Sequence, residues 1–321
     1  MSTSHADDRP TPLPRRGGPP FVTDGGLETD LVFHHGVDLP HFAAYPLLDR
    51  PDGRRLLADY YDGYAVIAER AGAGLVLETP TWRANPDWGA RVGDDAAALA
   101  RVDHDAVTFV RELGDGYAER VDRVLVCGMV GPRGDGYRPG AAVDPDEARD
   151  YHAPQVAALA EAGADVVGAY TLTDPGEAVG VVAAARRTGV PVAISFTVET
   201  DGRLPGGTTL VAAIEQVDAA DGGPDYYLVN CAHPRHVLAG LPDGELGVRE
   251  RAAWDRVVGL RPNASTQSHA ELDDAETIDE GDVADLVASV AELADRVGPF
   301  TVLGGCCGTD TRHVAALWGV S

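Results

Sequence analysis

Short β-branched apolar runs alternate along this chain with longer segments whose apolar residues recur every three or four positions. The runs Phe21–Gly26, Gly74–Thr79, Arg123–Val130, Asp165–Thr171, Pro191–Val198, Tyr226–Cys231, Val257–Asn263 and Phe300–Gly304 predict eight strands. Most are almost continuously apolar, the pattern of strands covered on both faces and so of a parallel sheet. Between them, Leu56, Tyr60, Tyr64, Ile67 and Ala71 fall on one helical stripe, and Asp282–Val297 reads as an amphipathic helix leading into the last strand. Asp174-Pro175, with Glu177 three after Asp174, supplies an N-cap, a first-turn proline and a capping-box acid for a helix over 178–187. Asp144-Pro145 starts the preceding helix in the same way, and Pro154 is expected to break or kink it.

Eight strands, each followed by a helical or loop segment, predict an α/β fold: a (β/α)8 TIM-type barrel forming a single domain over residues 20–321. An open doubly wound sheet has the same periodicity and stays open as the alternative. Residues 1–19 are polar and rich in Pro and Gly, which predicts a disordered tail. They lack the apolar stretch of a signal peptide, and no apolar run approaches the roughly 20 residues that span a bilayer. The expected location is the cytoplasm.

Charge narrows the partners. Of 321 residues, 51 are acidic and 26 basic, a net charge of −25, and every one of the basic residues is arginine. A field of this sign repels nucleic acid and anionic membrane surfaces, so neither is an expected partner. It fits a surface kept soluble in high salt, hence a halophilic source, or recognition of a cationic partner. Four cysteines in a chain of this size point to metal binding or catalysis rather than to a disulfide framework.

In a barrel the active site lies at the C-terminal ends of the strands. There the chain places Asp24-Gly25-Gly26, Glu78-Thr79, Asn230-Cys231, Arg261-Pro262-Asn263 and Gly304-Gly305-Cys306-Cys307-Gly308. Adjacent residues of an extended strand face opposite ways, so Cys306 and Cys307 need a folded backbone to reach one ion; Gly304, Gly305 and Gly308 can give it through positive φ. With Cys231 they make a three-thiolate set that leaves the fourth tetrahedral position of a zinc ion open, as catalytic sites do. Two small buried hydrophobes at a tight turn, or a redox pair, would show the same vicinal cysteines. Cys127 reads as a core residue. His233 and His236 are alternative ligands in what reads as a helix start, and His34-His35 reads as an exposed loop rather than a metal pair. Asp24 suits a substrate ammonium while nearby backbone N–H groups meet an anion; a plain turn would look alike. Glu78-Thr79-Pro80-Thr81-Trp82 sets an acid and two hydroxyls beside an aromatic ring, as a site or as an ordinary polar rim.

Taken together, Thr23-Asp24-Gly25-Gly26-Leu27-Glu28-Thr29, Glu78-Thr79-Pro80-Thr81-Trp82, Ser195-Phe196-Thr197-Val198, Val229-Asn230-Cys231 and Gly304-Gly305-Cys306-Cys307-Gly308 resemble the homocysteine S-methyltransferase family over nearly the whole chain. The resemblance implies a zinc-bearing (β/α)8 barrel in which Cys231, Cys306 and Cys307 ligate Zn2+ and Asp24, Gly25 and Gly26 help hold the amino-acid end of homocysteine. Glu78 and Thr79 join the expected substrate-binding set. The implied reaction moves a methyl group to a thiol, giving methionine from homocysteine. The donor would be a free sulfonium, a betaine or a separate methyl-carrying corrinoid protein. Two departures from the family pattern stand out: Gly168-Ala169-Tyr170-Thr171 replaces the fourth-strand Glu-Thr whose glutamate holds the substrate ammonium, and residues 263–269 lack the usual aromatic. Another thiol or selenol acceptor, a zinc hydrolase with water in the open position, and a thiol or zinc binder without turnover are the competing readings.

Overall fold

The eight expected strands all form, and they close on themselves. A computed structural model of the protein describes residues 11–134, 136, 142–220, 222–273, 275 and 277–320. The strands are β1 (Phe21–Val22), β2 (Gly74–Glu78), β3 (Val124–Val130), β4 (Val166–Leu172), β5 (Val192–Phe196), β6 (Tyr226–Asn230), β7 (Val257–Arg261) and β8 (Val302–Leu303). Each pairs in parallel with the next, and β8 returns to β1 with Phe21 opposite Val302. Closure removes both sheet edges and settles the choice against an open sheet.

Alternation along the strands divides the core. Phe21, Val76, Leu125, Cys127, Val166, Tyr170, Ala193, Tyr226, Leu228, Val258 and Val302 cluster together as the barrel filling. The intervening positions, among them Leu75, Leu77, Val126, Val167, Ile194, Tyr227 and Val229, pack outward against the helices. Cys127 is thus the core residue it was expected to be. Several strands end a residue or more before their expected C-terminal limits, because the polar residues there leave the ladder to form the site.

The stripe of Leu56, Tyr60, Tyr64, Ile67 and Ala71 lies on the helix Pro51–Ala71, and the last amphipathic segment forms Val283–Val297, capped by Asp282. Asp174 accepts hydrogen bonds from Gly176 N and Glu177 N, capping Pro175–Thr188. Glu177, expected as a capping-box acid, instead accepts from the backbone N–H of Arg133 and contacts buried His152 Nε2 at 2.9 Å. The helix Pro145–Glu161 runs through Pro154 as one element. Pro154 is exposed, as is Asp150, the residue whose carbonyl it leaves without an intrahelical donor.

The first ten residues of the expected tail lie outside the described residues. From residue 11 the segment is held on the N-terminal end of the barrel. Arg16 donates to the carbonyls of Pro299 (2.9 Å), Trp254 (2.7 Å) and Val297 (2.8 Å), and Thr301 Oγ1 donates to Arg15 O. No helix among the described residues is long and apolar enough to cross a membrane.

One cap supports the cysteine loop directly. Asp310 accepts from Arg312 N and caps the helix Thr311–Leu317 in a capping box with buried His313. Burial opposes its charge, but hydrogen bonds from His313 and Arg312 hold its carboxyl below the usual range. Asp310→Ala is expected to cost about 1–2 kcal/mol in chemical denaturation at neutral pH. Because the folded pKa is depressed, this contribution is fully present above the unfolded value of about 3.9 and is lost as pH falls below it. The wild type and variant should therefore converge in acid.

Candidate active site

Three strand ends and two turns bring the chemistry together. Cys231 follows β6 directly and takes a left-handed φ of 56°, uncommon for a residue with a side chain, which turns its sulfur out of the ladder and toward the loop after β8. In that loop Gly308 alone of the expected glycines has a positive φ, 77°. Gly304 and Gly305 serve through close approach instead: a Cβ on either would lie 2.0 Å from the hydroxyl of Thr23 or Thr309. So folded, the Sγ atoms of Cys231, Cys306 and Cys307 all lie within 4.8 Å of one another, with Cys231 and Cys307 at 3.5 Å. That is too far for a disulfide, and a tetrahedral ion with bonds of about 2.3 Å sets its sulfurs roughly 3.8 Å apart. The donor set fits a zinc ion with one open position. Among the three sulfurs, hydrogen bonds with Cys231 and Cys307 hold the Cys306 thiol well below the usual range, and those with Cys306 and Cys307 push Cys231 up.

Asn230 orients this group. Its Oδ1 accepts from Thr171 N (2.9 Å) and Ser195 Oγ (2.6 Å), while Nδ2 donates to Thr171 Oγ1 (2.8 Å) and to Cys306 Sγ (3.7 Å). With every direction of the amide used, the donor to Cys306 is fixed. His233 and His236 are not part of the cluster. His233 caps Pro234–Ala239 through a bond from Arg235 N, and His236 Nε2 meets Thr266 O at 2.9 Å. His34 and His35 are exposed, and His34 lies between Asp30 and Glu280.

The turn Asp24–Gly26 lies against the cysteines, since a Cβ at Gly26 would stand 2.6 Å from Cys306 O. The Asp24 carboxylate, however, is engaged by Arg261 at the end of β7, and the same guanidinium binds Glu78. Arg261 also donates from Nε to Gly305 O (3.0 Å) and from Nη2 to Gly25 O (3.1 Å). Glu78 accepts a further bond from Tyr170 OH at 2.5 Å. Burial pushes the Asp24 carboxyl well up against the pull of Arg261; it raises Glu78 as well, with Arg261 and Tyr170 opposing. Thr79 Oγ1 accepts from Met129 N (2.8 Å) and meets Thr81 Oγ1 (2.7 Å), so it ties β2 to β3.

A small cavity of about 50 Å³ joins Asp24, Glu28, Glu78, Tyr170, Arg261 and Cys306. It leads to a wider one of about 370 Å³ beside Cys231 and Cys307, walled by Phe33, Phe42, Trp82 and Arg83. There the Arg83 guanidinium lies 4.0 Å from the Trp82 ring and 3.8 Å from that of Trp88. Reading the chain alone placed Arg261 at the reactive end of the seventh strand but assigned no role to it, to Tyr170 or to Glu28. The available signal was a charged residue closing an otherwise apolar strand, Val257–Arg261, at the reactive end of a barrel.

The family model for homocysteine S-methyltransferase matches residues 21–319. The homocysteine S-methyltransferase of Escherichia coli (strain K12) is 27% identical over 323 residues, spanning 92% of this chain and 94% of that protein. The crystal structure of the homocysteine methyltransferase MmuM from Escherichia coli in its metallated form has a TM-score of 0.70 at 23% identity, covering 95% of this chain and 97% of that one. Its oxidized form gives 0.69 at 23% identity, with 94% and 95% covered. Those two structures establish the likeness of fold, the family model the lineage. With its closed eight-stranded barrel, the protein is an S-methyltransferase enzyme and belongs to the homocysteine S-methyltransferase family.

Proposed function

We propose that this enzyme methylates the thiol of homocysteine, giving methionine, at a zinc ion held by Cys231, Cys306 and Cys307. The observation that carries the reading is the convergence of three sulfurs within 4.8 Å at the mouth of a barrel of this family. When bound there, zinc supplies the Lewis acidity that lets a thiol ligand lose its proton at neutral pH, where a free thiol of pKa about 8.5 is only a few per cent ionised.

The chain's own residues do the rest. Asn230 fixes Cys306, and the glycines of the loop let it press against Asp24–Gly26, whose turn helps hold the amino-acid end of the acceptor. Trp82 and Phe42 border both cavities and exclude water from between them. The wider cavity is the space for the methyl donor. In the transfer the acceptor sulfur forms a bond to the methyl carbon, and the donor keeps the electron pair of the bond that breaks. Nucleophile and methyl carbon need in-line alignment, which is a matter of positioning. The donor is a sulfonium, a betaine or a methyl-corrinoid protein. The cytoplasm is the proposed location.

Zinc analysis and zinc-edge X-ray absorption on protein prepared in high salt test this reading. One zinc per chain is expected, with sulfur coordination rising from three to four when homocysteine is added. A chain that takes up no zinc, or a sulfur count indifferent to homocysteine, would overturn it.

A further inference from the structure

We propose that Glu28 is the specificity residue that receives the α-ammonium of the acceptor, because Arg261 occupies both of the other acids in the acceptor cavity. The inference rests on the reading of the acceptor as an amino-acid thiol. Such a substrate brings a cation within a few bonds of its sulfur, and that cation needs an anionic partner beside Cys306. Three carboxylates line the cavity: Asp24, Glu28 and Glu78.

Two of them are committed. Asp24 and Glu78 share the Arg261 guanidinium, whose other bonds go to the carbonyls of Gly25 and Gly305. All three side chains are at most 5% exposed, so the ion group is closed to solvent. Tyr170 fills the fourth-strand position and spends its hydroxyl on Glu78. An ammonium that displaced Arg261 from either acid would break one of the buried guanidinium's two ion pairs and bring a second cation against it.

Glu28 is different. It sits two residues after Gly26, in the first turn of the helix Leu27–Phe33, and faces the same cavity as Cys306 and Cys307. Burial raises its carboxyl to about 7, opposed by a bond from its own backbone N–H and by the charges of Arg83 and Arg261, while among the described residues no side chain hydrogen-bonds or ion-pairs with it. A partly buried carboxylate with no side-chain cation in contact is an unfavourable feature that an arriving ammonium compensates. It is also next to the turn that holds the acceptor, so one short segment, residues 24–28, both presses on the cysteine loop and selects the substrate.

Calorimetric titration of the zinc-loaded enzyme with homocysteine and with desaminohomocysteine, which keeps the thiol and carboxylate and lacks the amine, tests this. The wild type is expected to prefer homocysteine by about tenfold or more, the size of a charge-assisted bond. Glu28→Gln should bring the two ligands within about threefold of each other, leaving desaminohomocysteine affinity and zinc content unchanged, and Glu28→Asp should keep part of the preference. In turnover the loss should fall on KM for homocysteine rather than on kcat. Equal binding of both ligands by the wild type, or a preference that survives Glu28→Gln, would overturn the role of Glu28 while leaving thiol methylation intact. Failure of both thiols to bind the zinc-loaded enzyme would overturn the role of Glu28 and the proposed function together.

Discussion

Cys306→Ser is expected to lower homocysteine methylation by on the order of a hundredfold or more and to strip the protein of stably bound zinc. The reason is that Cys306 is the sulfur on which the site converges. The sulfurs of Cys231 and Cys307 lie within 4.8 Å of it, Asn230 Nδ2 reaches it at 3.7 Å, and its carbonyl abuts Gly26. Serine keeps the size and the polar contacts but replaces a soft thiolate by a hydroxyl that stays protonated at neutral pH. Cys127→Ala is the control. Cys127 is fully buried in the barrel filling, below the site, so the variant should lose some stability to the cavity it opens yet retain zinc and activity. Metal content and turnover measured on both variants separate the two sulfur environments; a Cys306→Ser enzyme with full zinc and activity would remove this residue from the proposed metal centre.

The second large effect concerns stability. Arg261→Met should destabilise the fold by about 3–5 kcal/mol at neutral pH, because it leaves Asp24 and Glu78 buried without their shared cation. The loss should shrink in acid. Both carboxyls already lie above their ordinary pKa through burial, and removing the guanidinium takes away a force that pulls them down. The folded variant then holds protons that the unfolded chain has released, so its stability falls as pH rises above the unfolded carboxylate value of about 4. Urea denaturation across that range checks the sign. A triple variant that also carries Asp24→Asn and Glu78→Gln should recover part of the loss, since it removes the uncompensated charges and not only their partner. If Arg261→Met alone is as stable as wild type at neutral pH, the three residues do not form a closed ion group.

The fold was legible in the chain because every strand carries its own signal. A parallel barrel strand is covered on both faces, so each of the eight runs had to be apolar nearly throughout, and periodic helices with Asp-Pro starts separate several of them. Only strand ends shifted, since the residues that leave the ladder to form the site are as small or β-branched as those that stay. Pro154 does not end the helix Pro145–Glu161, and nothing local to the chain says that its ring lies on an exposed face.

The site divides in the same way. Vicinal cysteines between glycines, with a third cysteine after an asparagine, suggested a thiolate set that the family resemblance then singled out, while the glycines were read for positive φ and only Gly308 has it. Residue type also marked Asp24 and Glu78 as acids at strand ends. It could not say that one arginine, 237 residues beyond Asp24, lies between them. Nor could it say that the left-handed turn needed to bring the sulfurs together would fall on Cys231 itself rather than on Gly304 or Gly305. Periodicity determined eight strands covered on both faces and hence a parallel α/β sheet, and residue type with the family resemblance pointed to the strand ends and the three cysteines, because these rest on local patterns and on chemistry that few residues can perform. Which carboxylates Arg261 engages, and which one faces the cavity without a side-chain partner, was decided only by closure of the barrel, which brings β1, β2 and β7 around one small space and lets a single guanidinium choose its partners there.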